Sequence, residues 1–335
     1  MFWNKLKKPF SAMAPMSDVT DSAFRELVAK CGRPDVFFTE FVSADGLYHT
    51  REVQGNSSRR EVSPCTFANP LMRILSFTEE EHPIVAQIFS SKPEMISYAT
   101  KVIAELGFDG VDINMGCPDK AIEKQGAGAA LMKNPSLAVE LIRAAKEASD
   151  LPVSVKTRVG YHKESLEEWL SILLKENPAA ITLHLRTRKE LSLAKANWEL
   201  MKKAVAIRDK INPNVLLIGN GDVQDLEDAN NKAAETGCDG IMFGRAVFGN
   251  PWLFERSENN PERSRGSHSL DEKLEALTEL AHNFEKISPP KSFSILKKHI
   301  KAFVTGFSGA TDLRAKLMKA ESAEDLERIL RENPL

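Results

Sequence analysis

Eight short apolar runs, interleaved with stretches of helical spacing, constrain the fold of this chain more than any other feature. The runs are Phe10–Ala14, Asp35–Thr39, Ile84–Phe89, Gly110–Ile113, Val153–Thr157, Ala180–His184, Val215–Gly219 and Gly240–Phe243. Amphipathic stretches lie between them near 20–31, 93–106, 135–148, 165–175, 195–208 and 224–236. Within 93–106, Ile96, Ala99, Val102, Ile103 and Leu106 fall at the i, i+3, i+4 spacing of a helix with one face toward a core. Pro93 and Pro135 suit first helical positions, and Gly32, Gly107 and Gly237 suit positions just past helix ends. Eight strand runs with interleaved helical stretches predict an α/β fold, a (β/α)8 TIM barrel. A doubly wound open sheet is the competing architecture. The polar residues favour the barrel because they gather where the strands end, the face on which barrels place their chemistry.

Two stretches depart from the alternation. Residues 40–83 contain Pro64, Pro70 and Pro83, and are expected to hold a short helix (Ser43–His49) and an extra pair of strands around 64–76. Residues 256–269 are polar and read as a linker between a barrel over 1–255 and a helical region over 270–335. That region predicts helices over 270–285, 291–304, 310–319 and 322–332. Between Lys286 and Lys319 it carries Lys286, Lys291, Lys297, Lys298, Lys301, Arg314, Lys316 and Lys319 against one acid, Asp312. A local basic surface is expected there, hidden by a net charge of −2 that gives the whole chain no nucleic-acid signature.

At 335 residues and 42% hydrophobic content the chain has material for a large core. No apolar run approaches the roughly 20 residues that span a bilayer, and the N-terminus lacks a signal-peptide pattern. A cytoplasmic protein without a membrane partner, and a monomer, is expected. The four cysteines, Cys31, Cys65, Cys117 and Cys238, form no C-x-x-C pair and have no histidine at zinc spacing, so neither a metal site nor a disulfide framework is expected. Cys31 and Cys238 read as packing residues and Cys65 as a buried strand residue. Cys117 differs. It follows an apolar strand and Asn114, and Pro118 biases it toward an extended conformation on the loop above the strand.

The strand ends supply a constellation. In order they offer Ala14-Pro15-Met16, Gln87, Asn114 with Cys117, Lys156 with Arg158, His184, Gly219-Asn220-Gly221-Asp222 and Gly244-Arg245. Singly, a lysine closing a strand is often a solvated charge, His184 could be a core imidazole, and Gly-Arg could be an ordinary turn. Converging on one mouth, they meet the demands of flavin mononucleotide (FMN). Gly221 and Gly244-Arg245 suit its phosphate, at the strand ends where barrels commonly hold one. Gln87 and Lys156 offer partners for the isoalloxazine edge, with Lys156 suited to an anionic reduced ring. Pro15 and Met16 can lie against that ring.

These residues resemble the tRNA-dihydrouridine synthase family of the bacterial type. The likeness runs through Ala14-Pro-Met-Ser-Asp-Val-Thr-Asp-Ser-Ala-Phe-Arg25, Thr39-Glu40, Gln87, Asp112-Ile-Asn-Met-Gly-Cys-Pro-Asp-Lys120 and Lys124-Gln-Gly-Ala-Gly128. It continues with Val155-Lys-Thr-Arg-Val-Gly160, Ile218-Gly-Asn-Gly-Asp222 and Gly240-Ile-Met-Phe-Gly-Arg245, and the tail from Lys297-Lys-His-Ile to Gly306-Phe-Ser-Gly is similar to the family's helical RNA-binding domain. The resemblance implies FMN-dependent reduction of uridines in tRNA to 5,6-dihydrouridine, with NADPH as reductant. It implies Cys117 as catalytic acid, and Pro15, Met16, Gln87, Lys156, His184, Asn220, Gly221, Asp222, Gly244 and Arg245 as flavin-binding residues. It places Asn114, Lys156 and Arg158 at the target uracil, and Lys120 and Arg186 near the RNA. A thiol of ordinary pKa near 8.5 is mostly protonated at neutral pH and suits proton donation.

The sequence departs from the family pattern at Leu185, where a glycine usually follows the histidine; a leucine has the bulk to narrow the approach to the flavin phosphate or the RNA. Lys189-Glu-Leu-Ser192 lacks the glutamine and tyrosine expected there, and the stretch 51–76 is atypical. Alternative readings are a flavin barrel acting on free pyrimidines or dihydroorotate-type molecules, a non-catalytic RNA-binding protein, and a Schiff-base aldolase using Lys156. The aldolase reading leaves Cys117 and Asn114 without a role.

Overall fold

The structure, a computed structural model, describes residues 1–55, 71–256 and 268–333. Its strands are β1 (Phe10–Met13), β2 (Phe37–Phe38), β3 (Val42–Ser43), β4 (Ile84–Phe89), β5 (Gly110–Met115), β6 (Val153–Arg158), β7 (Ala180–His184), β8 (Leu216–Asn220) and β9 (Gly240–Phe243). All pair in parallel in the order β1-β9-β8-β7-β6-β5-β4-β2, with the two-residue β3 alongside β4. A bridge between Ala12 and Val36, carried by Val36 N–H to Ser11 O and Met13 N–H to Val36 O, joins the two ends of the sheet. The sheet is therefore a barrel, and the open-sheet alternative is excluded.

Helices return the chain from each strand to the next. They are α1 (Ser22–Gly32), α2 (Ala44–Gly55), α3 (Pro93–Glu105), α4 (Lys120–Lys124), α5 (Pro135–Ala148), α6 (Leu166–Lys175), α7 (Glu199–Ile211) and α8 (Leu226–Thr236). Local signals explain their ends. Asp21 caps α1 by accepting from Phe24 N, Asn134 caps α5 by accepting from Leu137 N, and Pro93 and Pro135 sit in the first turns of α3 and α5. Gly107 and Gly237 take the left-handed conformation past α3 and α8, at φ +85° and +73°. Gly32 does not; it ends α1 without a positive φ, and a Cβ there would lie 2.6 Å from Glu255 N. Its role is close packing.

Strand parity divides the side chains. Phe10, Ala12, Ala14, Val36, Phe38, Val85, Leu216, Ile218 and Met242 fill the barrel interior together with Trp3 from the N-terminal turn. The alternate positions, among them Ile84, Ala86, Ile88, Val111, Ile113, Val153, Val155, Ile181 and Leu183, pack outward against the helices. The same parity turns Gln87, Asp112, Asn114, Ser154, Lys156, Arg158, His184 and Asn220 inward.

Beyond the barrel, α9 (Leu270–Glu285), α10 (Lys297–Phe303), α11 (Ala310–Leu317) and α12 (Ala323–Glu332) form the tail, close to the helices expected from the sequence. A capping box at Ser269 and Glu272 starts α9. Leu277, Phe284, Leu296, Ile300 and Phe303 join the same apolar cluster as the outer layer of the barrel. Lys30 of α1 pairs with Glu279 of α9 at 2.7 Å.

Three expectations need correction or fall outside the described residues. Residues 72–75 of the expected strand pair form a 3-10 turn (Met72–Leu75), tied to α1 by Arg25 donating to Ser76 O and to the tail by Arg73 donating to Pro289 O and Pro290 O, and not paired to a sheet edge; 64–70 lie outside the described residues, as does Cys65. The expected helix Ser43–His49 begins one residue later and runs on to Gly55. Residues 257–267 of the expected linker also lie outside. Among the described residues no helix is long and apolar enough to cross a membrane, and no group of three or more His, Cys, Asp or Glu could hold a metal ion.

Candidate active site

The inward positions at the carboxyl ends of the strands surround a cleft of about 650 Å³. Every site residue expected from the sequence lines it except Lys120, which is exposed at the start of α4. The cleft therefore brings together Pro15 and Met16 after β1, Gln87 on β4, Asn114 and Cys117 at the end of β5, and Lys156 and Arg158 on β6. His184 and Arg186 come from the end of β7, Asn220, Gly221 and Asp222 from β8, and Gly244 and Arg245 from the turn after β9.

A hydrogen-bonded chain crosses the barrel floor and ends at Cys117. Ser154 Oγ donates to Asp112 Oδ1 at 2.7 Å, and Gln87 Nε2 donates to Asp112 Oδ2 at 2.7 Å. Asn114 Nδ2 donates to Gln87 Oε1 at 2.9 Å. The other end of the Asn114 amide accepts from the backbone N–H of Gly116 at 3.1 Å and of Cys117 at 2.9 Å. Each amide is thus oriented by the next, and the turn carrying the thiol hangs from them. Burial pushes Asp112 up to about 6, against the hydrogen bonds from Ser154 and Gln87.

Two further contacts hold this turn. Arg158 Nε donates to Gly116 O at 2.8 Å, and its Nη1 donates to Leu191 O at 2.9 Å, linking the turn to the loop after β7. On the other side Ala129 N–H donates to Cys117 O at 2.9 Å. Gly128 makes that approach possible, since at its φ of +61° a Cβ would lie 2.8 Å from Cys117 O. The Gln-Gly-Ala-Gly segment therefore serves as a cradle for the cysteine turn.

The opposite wall is built on Asp222, at φ +53°. Its carboxylate accepts from Arg186 Nη2 at 2.5 Å, Arg245 Nη2 at 2.7 Å and Ala196 N at 2.9 Å. Burial works to raise the Asp222 pKa, but the hydrogen bond from Arg186 and the charges of Arg186 and Arg245 hold it below the usual range. Gly221, at φ +131°, leaves space that a Cβ would close against Ala196 at 2.7 Å, whereas a Cβ on Gly244 would meet nothing nearer than Met16 Sδ at 4.0 Å.

The cleft is rich in positive charge. Lys156, Arg158, Arg186 and Arg245 line it, with Asp222 the single lining carboxylate. Burial, then the neighbouring Arg158, push Lys156 down to about 8, with Asp112 opposing. Burial, then Lys156, Arg158 and Arg186, hold His184 far below its ordinary pKa. The ring is therefore neutral, and Arg186 Nη1 lies 3.1 Å from His184 Nε2, which accepts because the guanidinium can only donate. Burial pushes the Cys117 thiol up, against the Asp119 backbone N–H and the charges of Arg158 and Lys156. At neutral pH that thiol carries its proton.

Leu185 does not narrow the cleft. It is 1% exposed and packs in the apolar core, because strand parity sends His184 inward, Leu185 outward and Arg186 inward again. Phe41, Ser192 and Gln224 also line the cleft, although the sequence reading does not single them out. Phe41 directly follows Thr39-Glu40, so adjacency to that motif was an available signal. Ser192 lies on a loop whose path no periodicity defines.

The donor set fits an anionic, phosphate-bearing ligand of flavin size. The volume lies within the 300–1,000 Å³ common for such sites, and the glycines at 221 and 244 leave the backbone approachable. Comparisons with known proteins agree with a barrel enzyme. By fold alone the chain is similar to morphinone reductase, with a TM-score of 0.51 over 80% of this chain and 89% of that one at 13% identity. It is likewise similar to a 2-naphthoyl-CoA reductase complex, with a TM-score of 0.53 over 75% of this chain and 50% of that one at 12% identity. In sequence it is 39% identical to a probable tRNA-dihydrouridine synthase of Staphylococcus aureus strain Mu50 over 99% of this chain and 95% of the relative. It is 40% identical to probable tRNA-dihydrouridine synthase 2 of Bacillus subtilis strain 168 over 98% and 95%. The family model described as Dihydrouridine synthase (Dus) matches residues 12–334, and with these relatives it establishes that the chain belongs to the dihydrouridine synthase family of enzymes.

Proposed function

We propose that this enzyme reduces uridine in tRNA to 5,6-dihydrouridine in the cytoplasm, using FMN held in the cleft and NADPH as the reductant. The observation that carries the reading is the Cys117 turn hung from Asn114 in a cation-rich cleft that it shares with a half-buried Lys156. Asp222, Arg186, Arg245, Gly221 and Gly244 would hold the phosphate end of FMN, with Asn220 and His184 beside them. Gln87 and Lys156 would meet the ring edge, and Pro15 and Met16 its face. The chemistry that FMN supplies when bound is hydride donation to C6 of the base, with NADPH restoring the reduced form.

The protein supplies the rest. Cys117 Sγ–H delivers the proton to C5, and a thiol kept protonated by burial suits that task better than a thiolate. Asn114 and Arg158 hold the cysteine turn and face the base. The uracil must leave its stack to enter, at a cost of a few kcal/mol, and the exposed cations of the tail (Lys286, Lys298, Lys301, Lys316 and Lys319) would grip the RNA meanwhile. A lysine near pKa 8 also suits imine chemistry, but an aldolase would have no use for the chain from Ser154 to Cys117.

The test uses purified protein, FMN, NADPH and tRNA lacking dihydrouridine. Wild type should bind FMN and form dihydrouridine in tRNA, and leave free uridine and dihydroorotate unchanged. Cys117→Ala should keep FMN affinity and lose dihydrouridine formation by about 10²- to 10⁴-fold. Full activity in that variant removes the proposed role, and turnover of the free pyrimidines in place of tRNA supports the small-molecule alternative.

A further inference from the structure

Lys291, counted from the sequence among the surface cations of the tail, is not at the surface. Its side chain is 4% exposed, and its Nζ lies 3.2 Å from Glu40 Oε2, 3.4 Å from Asp21 Oδ2 and 3.8 Å from Asp18 Oδ1. The chain between α9 and α10 meets the loops after β1 and β2 here, so the ammonium is turned toward their carboxylates and away from solvent. Glu40 and Asp21 are buried with it, at 4% and 5% exposure of their side chains.

The three carboxylates belong to two loops, and each loop carries a residue that lines the cleft. Asp18 and Asp21 sit on the turn after β1, which begins at Met16. This turn is wound tightly, with the N–H groups of Val19 and Thr20 donating to Met16 O and Thr20 Oγ1 accepting from Met16 N at 2.9 Å. Glu40 follows β2 and directly precedes Phe41. Glu40 Oε1 also accepts from Asp18 N at 2.6 Å, so the two loops already touch beneath the ammonium. The tail adds two more contacts to the same turn. His299 Nε2 donates to Val19 O at 3.1 Å, and Lys298 pairs with Asp18 at 3.7 Å.

We propose that Lys291 is a positioning residue, the cation by which the tail draws the Asp18–Asp21 turn and Glu40 together and so holds Met16 and Phe41 in the cleft wall. Three carboxylates gathered this closely repel one another, and burial removes the water that would otherwise screen them. Taking the ammonium away leaves the buried Glu40 and Asp21 without their ion-pair partner, since Lys298 pairs with the more exposed Asp18, and the loops can relieve that charge by separating toward solvent. Burial already pushes the Glu40 pKa up, with Lys291 the strongest opposing influence, ahead of the Asp18 backbone N–H and Arg25. Met16 then moves relative to Gly244, and an error near 1 Å in such a wall is enough to change ligand fit. The tail is in this way part of the cleft and not only a grip on RNA. Deleting 268–335 would damage both, and so could not separate an RNA substrate from a small one.

The experiment compares wild type, Lys291→Met and Lys291→Arg as full chains, by hydrogen exchange and by FMN titration, with Arg331→Ala on the exposed face of α12 as control. Lys291→Met should speed amide exchange at residues 16–21 and 40–41 while α5 and α6 keep wild-type protection. It should also raise the FMN dissociation constant on the order of tenfold. Lys291→Arg should restore most of both, and Arg331→Ala should change neither. Should Lys291→Met fail to fold, Glu40→Gln, which removes one partner without changing shape, should give the same pattern at smaller amplitude. Wild-type exchange and FMN affinity in Lys291→Met, or in Glu40→Gln if that variant must stand in, overturn the proposal. FMN enters only as a probe, on the reading given above; if wild type takes up no FMN, that reading fails while the exchange measurement still decides the role of Lys291.

Discussion

Both ends of the barrel carry ionisable residues, but they differ in how completely the charges are paired. At the end where strands begin, the carboxylates cap strands and hold basic side chains at once. Asp239 accepts from Leu217 N at 2.8 Å and Arg208 Nη1 at 2.6 Å, and pairs with Lys8 at 2.7 Å. Asp109 accepts from Ile84 N at 2.7 Å and pairs with His82 at 2.6 Å, while Asp35 accepts from Ser11 N at 2.7 Å and pairs with Arg256 at 2.5 Å. At the end where strands finish, Lys156 has no carboxylate within ion-pair distance among the described residues, and Arg158 donates only to backbone carbonyls. The first end is arranged for stability. The second holds a surplus of buried positive charge that weakens the fold and suits an anion, the division expected of barrel enzymes.

The comparison can be broken at either end. Asp239→Ala removes the partner of a buried arginine and a strand cap together, so stability should fall by about 3–5 kcal/mol in urea unfolding. FMN affinity at 25 °C should stay within about twofold, because the site is at the other end of the strands. A large loss of FMN affinity in folded Asp239→Ala would show that the two ends are not independent.

Lys156→Met should do the reverse. FMN affinity should fall roughly 10- to 100-fold through loss of a desolvated charge partner, while unfolding free energy should hold or rise by about 1 kcal/mol. The pH dependence sharpens the point. Folding lowers the Lys156 pKa from 10.5 to about 8, so between those values the unfolded chain binds more protons and stability should rise with pH. FMN binding should weaken as pH climbs through about 8, as the ammonium loses its proton. Both trends should be absent in Lys156→Met; a wild-type pH profile in that variant would assign them elsewhere.

Lys120→Ala should give the smallest effect. Its side chain is exposed and off the cleft, so FMN affinity should not change and KM for tRNA should rise no more than about threefold, the share of one phosphate contact. A tenfold change in FMN affinity would place Lys120 inside the site after all.

Much of the site was legible because strand parity and motif position both lie in local sequence. Gln87, Asn114, Lys156 and His184 close strands, and a barrel turns such positions toward one mouth. Parity was also enough to send Leu185 outward, although its bulk at a glycine position suggested a narrowed cleft. Asp112 and Ser154 escaped notice as parts of the site because what they do depends on register, which sets Gln87 opposite Asp112 and Asp112 opposite Ser154. The stretch 72–75 was misread because a short apolar run has the same local pattern in a strand and in a 3-10 turn, and only its neighbours decide.

The sequence by itself determined the barrel, the strand ends that meet in the cleft, and the family, since each is written in periodicity or in contiguous motifs. Tertiary structure alone decided the protonation states and the fate of the tail cations. Burial of the Cys117 thiol and the depressed Lys156 ammonium follow from how much water the assembled walls exclude. Lys291 and Lys301 look alike in the sequence, ten residues apart in one basic stretch. One is sunk among three carboxylates of the barrel and the other faces solvent, because charge pairing across 251 residues of chain is a property of the fold and not of the segment.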